Sequence, residues 1–82
     1  MPNDRKKIKE WAKKNNYKML VVILPKRISE RMGFGIVVRN TSLDKDIELA
    51  KYLKFEDAKQ DALYYGEFFC CPIEYEGFER PK

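Results

Sequence analysis

Side chains able to do chemistry are unevenly supplied in this chain: two cysteines, thirteen carboxylates, seventeen lysines and arginines, and no histidine. Without histidine, general acid–base work near neutrality falls to carboxylates or lysines with displaced pKa values, and no pair of them stands in a catalytic spacing. A zinc site would need ligands that are missing, because Cys70 and Cys71 are adjacent and no other cysteine joins them. Adjacent cysteines also make a strained disulfide, so one thiol is expected to pack inside while its neighbour faces the other side of a strand. Vicinal redox chemistry or an intermolecular disulfide is the other use of such a pair. Gly33-Phe34-Gly35 invites comparison with a phosphate loop, yet no third glycine and no Lys-Ser/Thr pair follows, and the segment runs into a strand instead of a helix. Asp44, Asp46 and Glu48 alternate like the opening of a calcium loop, without the glycine and glutamate that complete one, so a solvated turn entering a strand is expected. Neither an enzyme nor a cofactor or metal is expected.

What remains is charge, and it is sorted along the chain. Residues 1–39 carry eleven basic and three acidic residues, and residues 40–82 carry six and ten. A cationic first half collects polyanions at long range, which is a statement about partners and not about fold. Ile8, Trp11 and Ala12 recur at helical spacing, which sets Lys6, Lys9 and Lys13 opposite that apolar stripe and Lys7, Glu10 and Lys14 along one flank. Lys26, Arg27 and Arg31 follow in a polar connection, read as a finger or one turn of helix. These eight cations are the candidate nucleic-acid contacts, against the blander reading of a solvated lysine face. Nucleic acid or a nucleoprotein is the expected partner. The alternative is a small phage-type or mobile-element inhibitor or adaptor that binds a host protein through charge complementarity and a sheet face or edge.

The elements that must position these cations follow from pattern. Residues 5–15 read as a helix, capped by Asn3 or Asp4 and ended at Asn15-Asn16, since Asn tolerates the left-handed cap position. Within residues 18–25 the six from Met19 to Leu24 are the longest apolar run, β-branched in its middle, and residues 17–24 read as a central strand covered on both faces and stopped by Pro25. Residues 34–39 and 47–53 read as further strands around a turn at 40–46. Phe55, Ala58, Ala62 and Tyr65 form the inner stripe of a second helix, opened by acids and closed by Gly66. A short last strand is expected within residues 67–75, kept to an edge by Pro72, then a loose tail over 76–82. The chain is therefore expected to be one α+β domain, residues 1–82, ordered α-β-β-β-α-β, with the first three strands in an antiparallel meander. Helix is scarce for covering both faces of the central strand. Either the helices divide between the faces, or the second face is an interface with a partner or a second copy.

No segment approaches the roughly 20 apolar residues that span a bilayer, and residues 1–16 are mostly polar and charged, so no membrane partner is expected and the cytoplasm is the expected location.

The order of elements is similar to that of the double-stranded RNA-binding domain. Residues 17–66 also resemble the three-strand-plus-helix arm-binding domains at the N-termini of tyrosine recombinases. The likeness is one of topology over most of the chain, without a shared sequence motif. The first resemblance implies backbone contacts from a helix and a strand-connecting loop, here Lys6, Lys9 and Lys13 with Lys26, Arg27 and Arg31. It also implies a lysine cluster opening the second helix; the matching positions here are Glu56 and Asp57, which repel phosphate and argue against duplex RNA.

Overall fold

An uninterrupted apolar run needs cover on both faces, and Val21, Val22 and Ile23 have it, each with no exposed surface. The computed structural model describes residues 5–77; the expected caps Asn3 and Asp4 and the tail positions 78–82 lie outside them. Its elements are α1 (Arg5–Lys14), β1 (Met19–Ile28), β2 (Arg31–Asn40), β3 (Lys45–Tyr52), α2 (Phe55–Phe69) and β4 (Ile73–Tyr75). The order is the expected α-β-β-β-α-β, an α+β arrangement. In space the strands run β3-β2-β1-β4: the first three form the antiparallel meander, and β4 lies parallel to β1 against Val21–Ile23.

Alternation along the strands decides which face each helix covers. Val21 and Ile23 of β1 and Ile36 and Val38 of β2 share one core with Ile8 of α1 and with Ala58, Ala62, Tyr65 and Phe69 of α2. Both helices therefore lie on one face of the sheet, and Val22 and Val37 point to the other. Among the described residues no helix covers that second face. Its cover is a lattice of ion pairs. Arg39 on β2 takes Asp46 on β3 (2.7 Å) and Glu76 (2.6 Å), the residue after β4, so this bridge crosses β1. Lys26 of β1 likewise reaches over β2 to Glu48 of β3. Gly35 leaves room for that reach, because a Cβ there would stand 3.2 Å from Lys26 Cδ. Long side chains cover apolar surface with their stems and keep their heads in water, which accounts for a buried Val22 beneath an open face.

Three local readings of the sequence are corrected. Pro25 does not stop β1, which continues to Ile28 and pairs with β2 throughout. The Val21 N–H and the Ile23 carbonyl both bond toward the β4 side, so Pro25, of the same parity, turns its donorless nitrogen to that side, beyond the end of β4, and costs no β1–β2 bond. The polar connection is consequently not a finger: Ser29 and Glu30 make a two-residue hairpin turn, with Ser29 left-handed at φ 58°. Lys26, Arg27 and Arg31 are strand residues.

Gly66 does not close α2, which runs on through Phe69. It is buried within the helix, where a Cβ would lie 3.1 Å from the Ile73 side chain, so its use is the close approach of β4. Cys70 closes the helix in the left-handed conformation (φ 54°, ψ 48°); its N–H bonds to the Glu67 carbonyl (3.2 Å) and that of Cys71 to the Gly66 carbonyl (3.0 Å). Cys70 is exposed and Cys71 half-buried, so the expected inside–outside division holds, at a helix end and not in a strand. A side chain in that conformation costs about 1–2 kcal/mol that glycine avoids. Cys70→Gly is expected to raise the unfolding free energy by about 1 kcal/mol in urea titration; a loss would contradict the cap assignment.

The expected end of α1 is found as read. Asn16 is left-handed (φ 55°), its N–H and that of Tyr17 bond back to the Lys13 and Ala12 carbonyls, and Tyr17 packs on Trp11 with centroids 5.1 Å apart. At the outer edge, Leu49 is an extra residue in β3, bulged opposite Ile36 and Val37, and the Arg5 guanidinium donates to its carbonyl. A bulge capped in this way blunts an edge against pairing with other strands.

Candidate nucleic-acid interface

The α1 helix explains why its lysines are presented together. Ile8 and Ala12 are buried and Trp11 half-buried, which at 100° per residue turns the remaining positions outward. Lys6, Lys7, Lys13 and Lys14 are exposed, and Lys9 is half-buried with its ammonium 5.2 Å from the Phe68 ring centroid. No carboxylate among the described residues forms an ion pair with Lys7, Lys13 or Lys14. Lys18, exposed just beyond the helix, adds a further cation at its C-terminal end.

The hairpin cations lie elsewhere. Arg27 and Arg31 are exposed beside the turn, whereas Lys26 is engaged by Glu48. The α1 helix ends beside the start of β1, and β1 is ten residues long, so about 30 Å separates that end from the hairpin tip. The eight candidate contacts therefore divide: five on α1, two at the far tip of the sheet, and Lys26 within the ion-pair lattice.

That lattice gives the two faces of the protein different electrostatics. On the open sheet face Lys26, Arg39 and Lys51 each have a carboxylate, the last at 3.8 Å from Glu48. The hydrogen bond from Lys26 holds the Glu48 carboxyl below its usual range, and the bonds to Asp46 and then Glu76 hold the Arg39 guanidinium still more firmly protonated. Asp46 and Glu48, read in sequence as possible cation ligands, are thus occupied by side-chain cations. No cluster able to hold a metal ion is found among the described residues, and none of their helices is long and apolar enough to cross a membrane.

Between the helices runs a seam of cations and rings. Arg5 places its guanidinium 5.7 Å from the Tyr65 ring centroid and donates from Nε to Tyr65 Oη (3.1 Å). Tyr64 stacks on Phe68 at 6.2 Å with the rings 19° apart, and Tyr64 is 59% exposed. Arg5, Tyr64, Tyr65 and Phe68 enclose a recess of about 110 Å³. Past Lys9, a groove of about 740 Å³ opens where both helices end, floored by Ala12, Met19 and Phe69 and rimmed by Lys9, Lys13 and Lys18. Near the middle of α2, Tyr52 donates to Asp61 (2.7 Å), which keeps the phenol protonated up to a pKa of about 12. Burial likewise pushes the Cys71 thiol up.

Sequence reasoning missed the pairing of Tyr64 with Phe68 because it ended the second helix at Gly66, which left Phe68 outside it. The signal was present: Tyr64, Tyr65, Phe68 and Phe69 continue the three-and-four spacing of the helix past the glycine. No protein-family model, curated protein or solved structure matches the chain, so the functional reading rests on the chemistry of these surfaces.

Proposed function

We propose that this protein is a non-enzymatic, cytoplasmic nucleic-acid-binding module that engages the phosphate backbone through the outer face of α1. One observation carries the reading: Lys26, Arg39 and Lys51 in the middle of the sheet face are matched by carboxylates, while Lys7, Lys13 and Lys14 on α1 have no such match among the described residues. A polyanion releases its counterions on meeting unmatched lysines, whereas cations already engaged by carboxylates must first give up those partners. Glu10 is the one acid within α1, and it faces solvent. The inhibitor or adaptor alternative was framed around a sheet face or edge. The charges of that face are already paired with one another over Val22 and the β3 edge is bulged, which favours the nucleic-acid reading over it.

The test is a fluorescence anisotropy titration of the full chain against labelled 20-nucleotide single strands and duplexes over a series of salt concentrations. The affinity is expected to fall linearly in a log–log plot with a slope of about −3 to −5, as for four to six neutralised phosphates. Absence of binding at micromolar protein in low salt would refute the proposal.

A further inference from the structure

Resting on the nucleic-acid reading, we infer that the seam between α1 and α2 is a track for unpaired nucleotides, in which Tyr64, backed by Phe68, stacks on a base while Lys9, Lys13 and Lys18 hold the phosphates alongside. Tyr64 is 59% exposed and nearly parallel to the half-buried Phe68 that backs it, so Tyr64 is the ring turned to solvent. Every base has a face that such a platform accepts, and cations beside it complete the combination by which proteins grip single strands without reading sequence. Lys9 joins the two parts of the track: its ammonium sits over Phe68, and its side chain also borders the groove rimmed by Lys13 and Lys18. The groove, at about 740 Å³, falls within the range of small-molecule sites and has room for a nucleotide.

A duplex makes poorer use of this surface. Its bases are stacked inside, so it offers phosphates to the lysines and nothing to Tyr64. Laid along the helices it also meets Glu56 and Asp57, both exposed in the first turn of α2. Asp57 precedes Tyr64 by seven residues, about 10 Å along the helix axis, so a flexible strand can follow the seam and leave those carboxylates aside. Asp61 is engaged by the Tyr52 hydroxyl, and Glu67 is exposed one turn beyond Tyr64.

The experiment compares labelled 12-nucleotide single strands, of RNA and of DNA, with duplexes of the same sequence, using the full chain and its Tyr64→Ala and Tyr64→Phe variants. The single strands are expected to bind at least tenfold more tightly than the duplexes. Tyr64→Ala should weaken single-strand binding about tenfold with an unchanged salt slope, and Tyr64→Phe should retain it. Equal affinity for duplex and single strand, or an inert Tyr64→Ala, overturns the track while leaving the backbone-binding proposal standing. Failure to bind either form overturns both.

Discussion

Ile23→Ala is expected to lower the unfolding free energy by about 2–5 kcal/mol, the range for emptying a fully packed aliphatic site. Ile23 has no exposed surface and stands on the inner strand between Ile36 of β2 and Tyr75 of β4, beneath both helices. Neighbours on two strands and two helices cannot all close on the cavity, which places the cost toward the upper half of that range. A domain of this length holds a total stability of about 4–12 kcal/mol, so the variant is expected to unfold at a much lower urea concentration. Leu63→Ala, at a helix position 52% exposed, is the control and should move the midpoint little. A loss below about 1 kcal/mol for Ile23→Ala would contradict the inner position of β1.

The element order was legible because each signal was local. The apolar run at 18–25 announced an inner strand, the Ile8, Trp11 and Ala12 spacing announced a helix, and Asn16 announced its left-handed end. What the sequence concealed was non-local. Pro25 reads as a terminator until it is known that β4 reaches no further than Tyr75, leaving the side without a donor unpartnered. Gly66 reads as a cap until Ile73 is placed against it. The second face of β1 posed the largest question, framed as a second helix or an interface. Both helices lie on the other face, and charged side chains cross the strand here, which depends on Arg39, Asp46 and Glu76 meeting from separate elements. The candidate site was half legible: the α1 lysines were found, while Lys26 was lost to Glu48 and the aromatic seam was missed with the last turn of α2.

The second large effect concerns binding. Lys6, Lys9 and Lys13 changed together to Glu should weaken nucleic-acid binding at least a hundredfold at low salt and reduce the magnitude of the salt slope by about two to three. All three lie on the side of α1 away from Ile8, so the fold should survive; Lys9 gives up its ring contact with Phe68, worth about 0.5–1 kcal/mol. Circular dichroism that matches the parent chain separates lost binding from lost structure.

Net charge alone would also weaken a polyanion complex, so the decisive measurement holds net charge constant and changes the face. Lys9→Gln with Lys13→Gln removes two charges from the helix layer, and Lys26→Gln with Lys51→Gln removes two from the sheet face. Anisotropy titrations of both double variants against the same 12-nucleotide strand at low salt compare them directly. The expected result is a loss of tenfold or more, with a shallower salt slope, for the helix pair and a change within about twofold for the sheet pair. Equal losses from the two pairs, or a larger loss from the sheet pair, would contradict the assignment of binding to α1.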